Sequence, residues 1–200
     1  AFDELKKLSS MLVPPRGCKN SKVNGDEVAR YYINQKSNSG IVNYVQIIGQ
    51  ALGDFYVSCP IIEFAHRLSS QQSNIEVFQY LWSKKFSSKE VPCADWMGAC
   101  HGSDVVMLFG QPFEEKNEFA PEHRRLSAHF MKTIGEFLHT GKPSKQEGKQ
   151  WPSYGLDSES KLSTPYYEFT GSSGSSRRIY RRDWKRELCS DLWRKYLIPK

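Results

Sequence analysis

A mixed α/β fold is what this chain predicts, and three observations carry the prediction. Apolar residues recur at helical spacing in four stretches, Ile41 to Leu52, Tyr56 to Leu68, Leu126 to Leu138 and Trp184 to Leu197. Ile75-Glu76-Val77-Phe78-Gln79-Tyr80-Leu81-Trp82 is rich in β-branched and aromatic residues between polar clusters, the pattern of a strand. Tyr166-Tyr167-Glu168-Phe169 repeats that pattern over a shorter span.

In chain order, the opening residues read as a short helix that stops at Pro14-Pro15, followed by an irregular polar stretch to Asp26. Ile41, Tyr44, Val45, Ile48, Ala51 and Leu52 then mark one face of a helix. Gly53-Asp54 is expected to break it before a second helix runs to Leu68, giving two packed helices. After the strand at 75–82, an apolar run from Val105 to Phe109 reads as a helix; Asp104 either caps it, the favoured reading, or takes part in a hydrogen-bond network behind the segment that precedes it. Leu126, Phe130, Ile134, Phe137 and Leu138 define an amphipathic helix with Gly141 and Pro143 as its stop. Lys142 to Gln150 reads as a basic loop, Trp151-Pro152-Ser153-Tyr154 as a turn and Gly171 to Ser176 as linker. A last helix covers Asp183 to Leu197, with Trp184, Leu188, Leu192, Trp193, Tyr196 and Leu197 on one face.

Two hundred residues with 25% charged side chains suit one domain or a piece of a larger one. No run of eighteen apolar residues offers a membrane span, and Ala1-Phe2-Asp3-Glu4-Leu5-Lys6-Lys7 lacks the order of a signal peptide. The absence of an initiator methionine suits a segment released from a longer precursor, though a chain boundary set another way would look the same. The formal net charge of +6 draws attention to Arg177-Arg178-Ile179-Tyr180-Arg181-Arg182-Asp183-Trp184-Lys185-Arg186. Trp184 falls on the apolar face of the last helix and no nucleic-acid-binding motif accompanies the basics. The run therefore reads as a solvated helix face for anionic glycans or a partner subunit, not for nucleic acid.

Cys18, Cys59, Cys93, Cys100 and Cys189 show no paired C-x-x-C spacing, which argues against a structural zinc site and leaves disulfides or free thiols. No metal or cofactor is implied. Cys93 and Cys100 flank a turn, and a bond between them would stabilise by about 2 kcal/mol; two buried thiols are the alternative. No N-x-S/T sequon is present.

The most informative segment is Trp96-Met97-Gly98-Ala99-Cys100-His101-Gly102-Ser103-Asp104 with its apolar continuation to Phe109-Gly110. Its Gly98-Ala99-Cys100-His101-Gly102 superficially forms a G-x-C-x-G elbow. Such an elbow needs an apolar strand before it, and Val91-Pro92-Cys93-Ala94-Asp95-Trp96 supplies a proline and an acid instead. A G-x-S-x-G nucleophile elbow occurs nowhere in the chain. The segment resembles the histidine motif of the cholinesterase and type-B carboxylesterase family. In the same order as that family stand Gly53-Asp54-Phe55, Cys59-Pro60, Trp96-Met97-Gly98, His101-Gly102, Phe109-Gly110, Phe137-Leu138-His139-Thr140-Gly141-Lys142-Pro143 and Trp151-Pro152.

The resemblance, spread from about residue 28 to the C-terminus, implies the C-terminal portion of an α/β-hydrolase fold: the end of the central sheet plus packing helices, with residues 1–200 a segment of one carboxylesterase-like domain and not an independent fold. It implies that His101 is the general base of a serine carboxylic-ester hydrolase, while the serine and the acidic triad member lie on an upstream or partner chain of the same precursor. Glu27 is too close to His101 to be that acid. The resemblance also pairs Cys59 with Cys189, leaving Cys18 as a free or interchain thiol in an oxidising, extracellular setting. The ligand expected is a small ester or another hydrophobic molecule, and oligomers are compatible. A catalytically inactive relative acting in adhesion, transport or ligand binding is the alternative. His66, His123, His129 and His139 read as surface or boundary residues of helices, and Phe78, Tyr80 and Trp82 as core more than as the lining of a substrate gorge.

Overall fold

The computed structural model describes residues 2–18, 20, 22–37, 43–71, 74–87, 89–156, 162–170 and 179–198. Its elements run α1 (Phe2–Ser10), α2 (Gly25–Ser37), α3 (Tyr44–Gly53), a π-helical segment (Asp54–Ser58), α4 (Cys59–Gln71), β1 (Gln79–Trp82), a 3-10 turn (Asp95–Met97), α5 (Ser103–Leu108), α6 (Gln111–Glu114), α7 (Pro121–Thr140), β2 (Gly155–Leu156), β3 (Leu162–Ser163), β4 (Pro165–Phe169), β5 (Tyr180–Arg182), α8 (Arg186–Leu188), a second π-helical segment (Cys189–Trp193) and α9 (Arg194–Leu197). The chain forms two compact units, Ala1–Arg67 with Lys185–Lys200, and Leu68–Trp184.

In the first unit α1 packs on α2 so closely that a Cβ on Gly25 would lie 2.0 Å from the Lys6 carbonyl oxygen, so only glycine fits there. The helix α2 begins where the expected irregular stretch ends and covers residues to which the sequence assigns no element. Asn24 caps it, its Oδ1 accepting from the backbone N–H groups of Asp26 (3.2 Å) and Glu27 (3.3 Å), and Val28, Ala29 and Tyr32 are buried. Asn43 caps α3 in the same way, and the expected start at Ile41 lies outside the described residues.

Gly53-Asp54 does not break the next helix, contrary to the sequence reading. Gly53 keeps right-handed helical angles (φ −62°, ψ −36°), and the Cys59 N–H bonds the Asp54 carbonyl five residues back. A continuous helix therefore passes through a π turn. The physical reason is the burial of Asp54, whose carboxylate accepts from the Tyr32 hydroxyl (2.8 Å) and from the Lys185 ammonium. Trp193 Nε1 donates in turn to Tyr32 (2.9 Å). Burial, then the Asp54 charge, push the Tyr32 phenol far above its ordinary range, which keeps its proton in place as a donor. Cys59 and Cys189 are disulfide-bonded with Cα atoms 5.2 Å apart. Glu27 pairs with Lys195 and accepts from Tyr196, a purely local role.

The helix over Tyr44–Ser70 is long and apolar enough to cross a membrane by length and composition. In the sequence its apolar run is interrupted by Gln46, Gln50 and Asp54, so no stretch of eighteen apolar residues marks it. Its residues Ile47, Ala51, Asp54, Phe55 and Cys59 are buried within this unit.

The last helix begins at Arg186 and not at Asp183, since Lys185 takes a left-handed conformation (φ 52°) just before it. Of the basic stretch, Arg177 and Arg178 lie outside the described residues, and Tyr180–Arg182 is an edge strand, not a helix face. Arg181 pairs with Glu168 and Lys185 with Asp54, so these charges are engaged internally. Trp184 sits in the turn before the helix and not on its apolar face.

The second unit is built around a sheet of order β1-β4-β5, with β1 parallel to β4 (Gln79↔Tyr166 to Trp82↔Phe169) and β4 antiparallel to β5. The strand expected over 75–82 is shorter than its sequence pattern, and upstream of it Val77 makes only an isolated bridge to Tyr154. Phe86, Val91, Cys93, Met107, Phe119, Leu126, Phe130, Trp151 and Phe169 form the core, with Phe78 and Trp82 packed against it. The helix α7 ends at Gly141, as its sequence predicts.

His123 is not a surface residue: it is buried between the rings of Phe86 and Phe119, with Nδ1 2.7 Å from Glu90 Oε1. Burial, opposed by the Glu90 charge, lowers its pKa. His129 is half-buried and bonds Gln146 (2.7 Å), which with Ser144 and Thr133 forms a buried polar cluster in what the sequence presents as a basic loop.

Candidate active site

The local sequence around His101 produces an exposed turn followed by a short helix. Asp95–Met97 forms a 3-10 turn, Gly98 takes φ 70°, and His101-Gly102 turns the chain into α5. Gly102 is the residue that permits this, with φ 82° in the left-handed region. The Ser103 N–H bonds the Cys100 carbonyl (3.2 Å) and the Val105 N–H bonds the Gly102 carbonyl (3.1 Å), closing the turn around the histidine.

His101 itself is exposed, and among the described residues its side chain makes no hydrogen bond. Both ring nitrogens are thus open to groups beyond these residues, which an imidazole acting between two partners requires. What holds the turn is the backbone on either side. Cys100 forms a disulfide with Cys93, a buried member of the core, with Cα atoms 6.1 Å apart. With no strand before it and its sulfur bonded, Cys100 cannot serve as an elbow nucleophile.

Asp104 does not cap α5, as the sequence suggested; Gly102 occupies that position without a side-chain bond. Asp104 instead accepts from the Tyr80 hydroxyl on β1 (2.9 Å). Burial, then the Asp104 charge, push the Tyr80 phenol well above its ordinary value and keep it a donor. At its far end α5 is tied to α7 through Ser127 Oγ, which donates to the Met107 carbonyl (2.6 Å). The tie between Tyr80 and Asp104 joins residues 24 apart and has no sequence signal beyond the two residue types.

Around the turn, Trp96 (38% exposed), Met97 (44%), Val105 (49%) and Phe109 (80%) leave apolar surface in solvent. Among the described residues no group of three or more His, Cys, Asp and Glu side chains comes together as a metal site. Cys18 is a free, half-buried thiol in the first unit. His66 is half-buried on α4 and His139 exposed on α7.

Comparison with known proteins gives a consistent picture. The model of the carboxylesterase family matches residues 3–182. Acetylcholinesterase 1 of Caenorhabditis elegans is 28% identical over 163 residues, 78% of this chain and 24% of that protein. Acetylcholinesterase-1 of Trittame loki is 30% identical over 105 residues (52% of this chain, 18% of that protein), and acetylcholinesterase of Gallus gallus 31% over 130 residues (64% and 16%). The chain thus spans less than a quarter of the length of these relatives.

Proposed function

Because the chain belongs to the carboxylesterase family, an α/β-hydrolase family whose fold agrees with the partial sheet and packing helices seen here, we propose that it supplies the general base of a serine carboxylic-ester hydrolase, His101. The serine nucleophile and the acidic triad member belong to the remaining, upstream part of the domain, on the same precursor or a partner chain. Residues 1–200 are then the C-terminal segment of one such domain. The names of the relatives make acetylcholine or a similar choline ester the first substrate to test. Two disulfides fit an oxidising compartment, and we place the protein outside the cell.

One observation carries this reading: within the matched region a histidine stands exposed on a turn whose backbone is held on both sides while its imidazole is left open. In the reaction the imidazole takes the serine hydroxyl proton as the serine oxygen bonds to the ester carbonyl carbon. It returns that proton to the leaving alcohol as the original C–O bond breaks. A water molecule, deprotonated by the same nitrogen, then cleaves the acyl-serine bond and releases the acid.

The test is labelling of the complete native protein with a tagged fluorophosphonate, resolved with and without reductant. Covalent tagging of a serine that falls by about 10⁴-fold or more in His101→Gln is the expected result. Equal labelling of His101→Gln and wild type overturns the role of His101. No labelling of folded wild type leaves a cholinesterase-like protein of adhesion, transport or ligand binding.

A further inference from the structure

His101 has no side-chain hydrogen bond among the described residues, so the place from which its imidazole reaches out is set by the backbone of residues 100–104. That backbone is weak by itself. Gly102 contributes no side-chain contact, and the helix that follows is six residues long, too short to hold its own orientation. Two ties compensate, one on each side of the histidine. Immediately before it, Cys100 is covalently joined to Cys93, whose side chain is 4% exposed and part of the core. Three residues after it, Asp104 accepts from Tyr80, whose ring packs edge-on to Phe130 (centroids 5.3 Å) and whose strand is paired to β4.

We propose that the Cys93–Cys100 disulfide and the Tyr80–Asp104 hydrogen bond form a two-sided clamp that positions His101 for proton transfer. The proposal rests on the esterase reading of His101. It makes Tyr80 and Asp104 positioning residues: neither touches the reacting atoms, and each acts through the turn. Proton transfer tolerates little displacement, and a shift of about 1 Å in a reacting group costs on the order of 100-fold in rate. A clamp of two ties from different elements restrains both translation and rotation of the turn, which one tie cannot do. The disulfide alone would leave the start of α5 held only from its far end, where Ser127 Oγ bonds the Met107 carbonyl. The hydrogen bond alone would leave its leading edge loose.

The experiment uses the complete protein as wild type, Tyr80→Phe, Asp104→Asn and the double variant Cys93→Ala, Cys100→Ala. Two quantities are measured: the fluorophosphonate labelling rate across pH together with the final number of labelled sites, and amide hydrogen exchange at Ser103 to Val105. For Tyr80→Phe, which loses only a hydroxyl, labelling slows about tenfold at every pH, the final number of sites stays at the wild-type level, and those amides exchange faster. Asp104→Asn keeps an acceptor oxygen and stays within about threefold of wild type, while the double cysteine variant slows at least as much as Tyr80→Phe. Wild-type labelling rate and unchanged exchange in Tyr80→Phe overturn the clamp, as does a loss of labelled sites without a loss of rate, which marks a merely structural role. Failure of wild type to label overturns the esterase reading instead. Exchange at Ser103 to Val105 then still decides whether the clamp holds the turn.

Discussion

The C-terminal helix and the His101 turn are secured by the same pair of devices, a disulfide and a tyrosine hydroxyl donating to an aspartate, and the settings differ in every respect that governs energy. At the helix, the disulfide joins residues 130 apart, and Tyr32 and Asp54 are 3% and 0% exposed with the Lys185 ammonium and Trp193 completing the network. At the turn, the disulfide joins residues 7 apart, and Tyr80 is 38% exposed with no cation on Asp104 among the described residues. Long-range closure and full burial make the first arrangement a determinant of stability. Short closure and partial exposure make the second a smaller determinant of stability, and its effect falls mainly on local geometry.

The largest separation is expected from the disulfides. Loop-closure entropy gives about 5 kcal/mol for Cys59–Cys189 and about 2 kcal/mol for Cys93–Cys100, so denaturant midpoints of the two double alanine variants should differ by more than twofold in their shifts. Equal shifts would mean that the turn is as deeply embedded as the helix. The aspartates come next. Asp54→Ala leaves the buried Tyr32 hydroxyl without its acceptor and takes the carboxylate from the half-buried Lys185 ammonium, and should cost about 3 kcal/mol, against about 0.5 kcal/mol for Asp104→Ala at a half-exposed site. Comparable losses in chemical denaturation would erase the distinction.

The smallest effect is a pH dependence confined to the second unit. His123 faces Glu90, Glu122 and Lys84 beneath the rings of Phe86 and Phe119, and its folded-state pKa lies below the unfolded value of about 6.5. The unfolded chain therefore binds more protons in that window. Stability conferred by neutral His123 is present above about pH 6.5 and declines as pH falls through and below it. Comparing thermal unfolding at pH 7.5 and 5.5 in wild type and His123→Gln checks this; an unchanged pH slope in the variant would show that His123 does not set it.

Short-range patterns made part of this legible in advance. The α7 stop at Gly141, the β4 strand and the turn at His101-Gly102 each follow from residues within a few positions of one another. Helix α2 escaped notice because its apolar face is only Val28, Ala29 and Tyr32 set among charges, although Asn24 and the acids after it are a cap signal. His123 is surrounded by charged neighbours in sequence, and only the packing of Phe86 and Phe119 against it makes it a core residue. Asp104 looked like a cap because its proper partner, Tyr80, lies on a distant strand. Gly53-Asp54 had the composition of a break, and tertiary partners for the carboxylate turned it into a continuous helix.

That continuity has a consequence for how the segment tolerates changes of length. Because the Cys59 N–H reaches back five residues to the Asp54 carbonyl, the turn between them holds one residue more than an ordinary helical turn. The same extra residue recurs opposite, where the Arg194 N–H reaches the Cys189 carbonyl. Removing any single residue between 54 and 59 would leave four residues in that turn, an ordinary α-helical repeat that keeps both side chains on one face of the helix. The cysteine would then still face Cys189. A chain shortened by one residue here should therefore still close this disulfide, which peptide mapping without reductant would show.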